Sequence, residues 1–359
     1  STRMPIGSIE VIKTIKPTEL KRFYSNWYQP DRISILIVGD INITDMEKKV
    51  RSHFSEIKGN GEVASRVENG FPNHSDTLYA KIIDPEIVFS QILITNKSPL
   101  NPYKNHQDFR DFLIEKLYTS MINTRISTSD HTTDCVSIGS GYHINKYSFF
   151  KTHEFTINVK NNQFKDCLID SMKEIERIKQ YGFHNSELSR AKKELLIQIR
   201  GQFEIDKKQT SLELVESYTS NILLDKTILL AESSLMYANK YLPTIKLMDV
   251  NEARNIYNTK DNRVITFFGN QQAGKKIPID SEIDIVLNKV KNMRLTPYSD
   301  IVSDLPFFTK QINPGKIVSE KKNEQVGVTT WLLSNGAKVV LKPTDFLKSE
   351  ILVDAYSPG

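Results

Sequence analysis

The chain is poor in cysteine, has no long apolar run and carries no block of one charge sign. Its only cysteines are Cys135 and Cys167, and neither belongs to a CxxC pair. A CxxC metal or redox motif is thereby excluded, and the two are either buried thiols or one disulfide. No stretch of about eighteen consecutive apolar residues occurs, which excludes a helix that spans a membrane. Lys and Arg number 48 against 43 Asp and Glu, and the formal net charge of +5 is spread over mixed-sign helices. Solvated helix faces account for that pattern better than a nucleic-acid surface. An initiator Met and a targeting segment are also lacking, so the compartment stays open and the chain reads as one that opens in mid-fold. What is present suffices for a folded core. Hydrophobic residues make up 39% and charged residues 25% of the 359, as in an ordinary globular chain of roughly two domains.

The spacing of apolar residues predicts a helix from Pro17, with Thr18 as N-cap and Leu20, Phe23, Tyr24 and Trp27 on one face, ended by Pro30. Ile33 to Val38 is nearly all apolar and is expected to be a strand buried on both faces or central in a sheet, closed by Gly39-Asp40. Thr44 or Asp45 should cap a helix whose inner face is Met46, Val50 and Phe54. Gly and Asn crowd residues 58–75 and mark a linker. A second unit then starts near Leu78. Its expected elements are a strand at Ile87 to Ile94, a helix from Pro102 to about Ile126, and antiparallel strands at Val136 to Tyr142 and Phe149 to Val159. A helix from Phe164 to Tyr181 follows, then Gly182 as its C′ glycine and a long helix from Asn185 or Ser186 to about Phe203. Shorter helices cover Thr210 to Leu223, Ile228 to Asn239 and Asp249 to Tyr257, and Arg263 to Asn270 is a closing strand.

Asp31 to Asp40 and Asn262 to Asn270 share one pattern: a polar residue, Arg, an apolar strand, Gly, then Asp or Asn. Each follows a Pro-Thr pair, Pro17-Thr18 or Pro243-Thr244, at an offset of about 230 residues, which suggests an internal duplication. Residues 271–325 are rich in Lys, Asp, Pro and Asn and read as an interdomain connector. Asn335-Gly336 between two apolar stretches predicts a hairpin, with a further strand at Ile351 to Tyr356.

These residues carry a resemblance. Arg3-Met4-Pro5-Ile6-Gly7, Phe23-Tyr24-Ser25-Asn26-Trp27-Tyr28-Gln29-Pro30 and the strand closed by Gly39-Asp40 resemble the end of the first domain of the M16 (pitrilysin-like) zinc metallopeptidases. Ile175-Glu176-Arg177-Ile178, Gly182-Phe183 and Glu187 to Leu196 resemble the helix–Gly–helix joint of the next domain in that family, with His184 where a Thr cap is common. The resemblance implies an α+β fold of repeated units, each a mostly antiparallel sheet with helices on one face. It divides the chain into the C-terminal half of a first, zinc-binding unit (1–58), a linker (59–77), a complete non-catalytic unit (78–270), a connector (271–325) and the first strands of a third unit (326–359).

The family's chemistry needs two His one helical turn apart on zinc, and a Glu as general base, in an H-x-x-E-H helix with a further Glu downstream. Here His53-Phe54-Ser55-Glu56 runs on into Ile57, and His184-Asn185-Ser186-Glu187 into Leu188, so each lacks the second His. Glu187 is better explained as an acid in a helix's first turn. His131, Cys135 and His143 lack a fourth partner, and Gly139-Ser140-Gly141 is a GxG without a following helix, placed instead at a strand bend. Phe109, Phe112, Phe203 and Trp27 have core spacing, and Arg125 is expected in a surface or structural salt bridge. The expectation is therefore no catalytic, cofactor or metal residue in this chain, with zinc ligands outside it. The implied whole is a zinc endopeptidase that cleaves peptides or unfolded polypeptides in a closed chamber, this piece giving wall and substrate-binding surface. A catalytically inactive M16 homologue acting as scaffold is the alternative, and an unrelated α+β interaction protein a third reading. Expected partners are the remaining domains of the polypeptide and peptide substrates. Strand 33–38 should either be covered by strands 330–356 or mediate self-association. By resemblance the compartment is the periplasm.

Overall fold

In the computed structural model, alternating apolar residues build a five-stranded sheet. The residues described are 7–59, 73–100, 105–129, 135–145, 150–160, 164–207, 209–224, 227–228, 230, 231–253, 259–270, 277–300, 313–345 and 351–357. The helices are α1 (Ile9–Thr14), α2 (Pro17–Trp27), α3 (Ile43–Phe54), α4 (His106–Thr128), α5 (Phe164–Tyr181), α6 (Asn185–Asp206), α7 (Ser211–Leu224), α8 (Ala231–Tyr241), α9 (Leu247–Glu252) and α10 (Asp280–Lys291). The strands of the sheet are β1 (Leu78–Ile83), β2 (Ser90–Pro99), β3 (Cys135–Asn145), β4 (Phe150–Val159) and β5 (Arg263–Gly269), in the order β1-β5-β2-β4-β3. β1 runs parallel to β5, and the other neighbours are antiparallel. The fold is the mostly antiparallel α+β unit expected.

Register explains the core. Ile92 lies opposite Ile157 and Phe267, and Ile94 opposite Phe155 and Ile265. All of these are buried, because side chains at alternate positions share one face. α4 and α5 pack against the sheet and cover that face. Asn105 caps α4 by accepting from the Gln107 and Asp108 N–H groups, and the Asp108 carboxylate accepts from the Asn105 N–H. Phe109, Leu113, Leu117 and Met121 then point inward at helical spacing. α5 keeps its expected span and ends at Gly182, whose φ of +71° suits glycine. A Cβ there would meet the Asn251 Oδ1 at 2.8 Å. Cys135 on β3 and Cys167 on α5 form a disulfide, with Cα atoms 5.5 Å apart. Of the two states open from sequence, the cross-link is the one present.

Several elements depart from expectation. Ile33–Val38 is extended but belongs to neither sheet among the described residues, and Ile35 and Ile37 stay 42% and 43% exposed. The strands expected to cover it pair elsewhere. β6 (Ile317–Asn323), β7 (Val328–Leu333) and β8 (Lys338–Leu341) form their own antiparallel sheet. Local pairing wins because short loops close at little entropic cost. In the loop between β7 and β8, Gly336 takes φ +84°, and the Asn335 Oδ1 accepts from the Ala337 N–H. Ile351–Tyr356 forms no strand and is exposed. The matched pattern at 31–40 and 262–270 thus gives a paired strand only in its second copy. The Pro243-Thr244 pair lies in a 3₁₀ turn rather than a helix start.

β2 begins at Ser90 and not at Ile87. Asp84 Oδ1 accepts from the Glu86 N–H, and Asn270 Nδ2 donates to the carbonyls of Pro85 and Ile87, so this stretch is held as a turn. Caps also shift: Lys16 precedes α2 with Pro17 at its first position, and Asn42 caps α3. The segment read as a connector holds α10, which packs on α5 and buries Ile283, Val286 and Val290 in the core. Of the linker at 58–75, residues 60–72 lie outside the described residues.

Candidate functional site

The most buried charge lies where α4, α5 and α6 meet. Arg125, in the last turn of α4, is wholly buried. Its Nε and one terminal amine donate to the two carboxylate oxygens of Glu187 at 2.7 and 2.8 Å, and that amine also donates to the Gly182 carbonyl at 2.9 Å. The other terminal amine faces Glu174 at 3.6 Å. Phe183 and Tyr298 rings flank the guanidinium at 4.7 and 4.3 Å. Fork geometry and stacking make this an arginine's place, which lysine cannot fill equally. Glu187 also accepts from the His184 N–H at the start of α6. One carboxylate thus caps α6 and anchors α4.

An extended strap, residues 293–300, lies across the α5–α6 joint. Its main-chain carbonyls accept from α5 and the joint: Met293 from Gln180, Leu295 from the Tyr181 hydroxyl and Thr296 from Arg177. The Tyr298 carbonyl faces His184 Nε2 at 3.0 Å. Asp300 accepts from Arg190 at 2.7 Å and from the Ser186 hydroxyl. The bond from Arg190 holds the Asp300 carboxyl below its ordinary pKa. The site ties three helices and the strap together with ion pairs.

A second polar cluster joins α4 to β4. Glu115 of α4 contacts His153 Nε2 and accepts from Lys151 at 2.9 and 3.1 Å. Burial alone would raise its pKa, but the His153 and Lys151 bonds and charges outweigh it, and the carboxyl is held below its ordinary value of 4.5. A folded pKa below the unfolded one means that the contribution is fully present above the unfolded value. It is lost as pH falls through the folded value. Denaturant unfolding of Glu115→Gln beside the parent is expected to show a stability gap at neutral pH that narrows on acidification below 4.5. A gap that stays constant with pH contradicts this assignment.

The residues singled out as metal candidates are engaged otherwise. Both oxygens of Glu187 hold Arg125, and the sulfur of Cys135 is in the disulfide. His143 faces Glu154 across the strand pair at 3.2 Å, while His131 lies outside the described residues. His53 packs against Phe54 in the last turn of α3. Gly139 and Gly141 lie within β3. Phe109 is buried, Phe112 and Phe203 are partly buried, and Trp27 receives the Arg32 guanidinium on its ring. Among the described residues no three metal-binding side chains converge. The donor set here does not fit zinc. Arg125 is structural, as expected, but fully buried rather than at the surface. The partners Tyr298 and Asp300 were missed because their segment read as connector.

The model of the peptidase M16 inactive domain matches residues 14–195, from α2 into α6. The chain belongs to the peptidase M16 inactive-domain family. The Arg125–Glu187 joint falls within this M16 match. Zinc protease PQQL-like of Arabidopsis thaliana is 23% identical over 358 residues, covering 99% of this chain and 35% of that protein. The chain therefore spans about a third of that M16 relative. Among solved structures, the periplasmic protease PqqL from Escherichia coli superposes with a TM-score of 0.75 at 20% identity, over 95% of this chain and 38% of that one. The first half of the same protease gives 0.73 at 20% identity, over 83% of this chain and 64% of that one. These likenesses establish the M16 fold.

Proposed function

We propose that this chain is the non-catalytic part of a zinc endopeptidase that cleaves peptides or unfolded polypeptides in a closed chamber. The observation that carries the reading is the seat of Glu187. In a chain of the M16 inactive-domain family, the glutamate of one of its two His-x-x-Glu matches is spent wholly on a buried arginine and a helix cap. Zinc, bound by residues elsewhere in the polypeptide, would supply an activated water and a polarised carbonyl. This chain's residues shape the wall. The proposed division is the close of a first unit (1–58), a linker (59–77), a second unit (78–270) against which α10 packs, the remainder of the connector (to 325), and the opening strands of a third (326–359). Among the described residues the sheet order leaves β1 and β3 as edges, where an extended substrate would add as a strand.

Exposed Leu20, Phe23, Ile33, Ile35 and Ile37 support a partner for the N-terminal helices, and the longer relatives make the rest of the polypeptide that partner. Self-association through 33–38 competes with it, and a monomeric full-length protein eliminates self-association. The disulfide favours an oxidising compartment such as the periplasm. No helix among the described residues is long and apolar enough to cross a membrane.

The test is hydrolysis of an unfolded polypeptide by the full-length protein and by this chain alone, each with and without a zinc chelator. Cleavage by the full-length protein only, abolished by the chelator, is expected. Cleavage by the chain alone overturns the reading. An inert full-length protein without an H-x-x-E-H upstream would instead support the scaffold alternative.

A further inference from the structure

A cleft opens between α5, α10 and the start of β5, on the side of α5 away from the disulfide. Met172, Leu287 and Val290 are among the residues lining it, and Lys179, Lys260, Arg263 and Lys291 bring four cations to it. Among the described residues, Glu176 is the one carboxylate in the lining. It is already engaged by Lys179 at 3.3 Å and by Gln180 at 3.1 Å. The volume is about 50 Å³, room for an ion of a few heavy atoms.

Arg263 is the informative member. It is 7% exposed, and its Nε donates to the Thr77 hydroxyl at 2.9 Å. No carboxylate of the described residues forms an ion pair with its terminal amines. Tyr79 and Asp284 are the groups whose charge acts on it, and the Tyr79 hydroxyl donates to the Asp284 carboxylate. Burial pushes the Arg263 pKa down from its ordinary value, with Tyr79 and Asp284 opposing the fall only in part. A guanidinium with no carboxylate in an ion pair is suited to bind the paired oxygens of a carboxylate or phosphate. Lys260 and Lys291 are exposed at the mouth and add charge without adding a counter-ion. The need to satisfy the C-terminal carbonyls of α10 accounts for a cation such as Lys291 there. It does not account for Arg263, which comes from β5 and turns into the cleft.

We propose that this cleft binds a compact oxyanion, held by the buried Arg263 guanidinium and closed over by Lys260 and Lys291. A tetrahedral ion such as phosphate and the terminal carboxylate of a peptide share the chemistry that the cleft offers. Both present oxygens that a guanidinium bonds in pairs. The apolar lining would seat the carbon atoms of the carboxylate source.

The probe is inorganic phosphate, titrated calorimetrically into the full chain at constant ionic strength set with chloride. Saturable binding is expected. Lys260→Gln with Lys291→Gln removes two exposed cations without touching the core, and should weaken binding about tenfold or more. Arg263→Gln should abolish binding, with circular dichroism to confirm that the variant is folded. Displacement of phosphate by acetate assigns the carboxylate source, and its failure assigns the tetrahedral one. No saturable phosphate binding, or equal binding by the double lysine variant, overturns the proposal.

Discussion

Arg125→Met is expected to destabilise the chain by about 3–5 kcal/mol, the cost of leaving the buried Glu187 carboxylate without its cation. Glu187 is almost fully buried and loses both of its bonds from the guanidinium, while the equally buried Glu174 keeps its pair with Arg177. For a unit of this size that cost corresponds to a fall in melting temperature on the order of 10 °C. Arg125→Lys should recover only part of it. An ammonium cannot satisfy two carboxylate oxygens in one plane or stack between Phe183 and Tyr298. Adding Glu187→Gln to Arg125→Met should recover stability, because the penalty lies in the unpaired Glu187 charge. Equilibrium unfolding in denaturant measures all three. A loss below about 1 kcal/mol for Arg125→Met, the range of an exposed ion pair, would contradict a buried joint.

Removing the disulfide should have the second large effect. Cys135 and Cys167 lie 32 residues apart, and closing a loop of that length restricts the unfolded chain by about 3–4 kcal/mol in the loop-entropy model. Cys135→Ala with Cys167→Ala, or addition of a thiol reductant, should lower the melting temperature by comparable amounts. The double variant should be indifferent to reductant. Thiol titration of the unfolded, unreduced protein should find no free thiol. Two free thiols would contradict the cross-link and remove its support for an oxidising compartment.

Legibility of the sequence followed where each element's signal is local. α5 kept its expected ends because Phe164, Leu168, Ile175 and Ile178 repeat at helical spacing and Gly182 can adopt a positive φ. The strand expected at Phe149 to Val159 is legible from alternation, the one expected at Val136 to Tyr142 runs on to Asn145, and the Asn335-Gly336 hairpin is legible from its turn. Ile33–Val38 was misread because apolar composition states what a segment would bury, not whether a neighbouring strand exists to accept its hydrogen bonds. α10 did carry a signal. Ile283, Val286, Leu287 and Val290 recur at helical spacing, but the Lys- and Asp-rich composition around them masked it.

The site was less legible than the fold. Its partners come from four distant segments. Arg125 was noticed, and Glu187 was weighed as a helix-capping acid, yet nothing local joins them across 62 residues. Nor does anything local announce that Tyr298 returns to stack on the same guanidinium. The pairing depends on how α4 and α6 pack, which is a property of the assembled core.

The central claim is that this chain carries the family's fold without its metal. Its most direct test is the zinc content of the purified chain after incubation with zinc and exhaustive dialysis, read by atomic emission. The account predicts far less than one zinc per chain, unchanged by Glu187→Gln or His53→Ala. One zinc retained per chain, and lost in either variant, would contradict it.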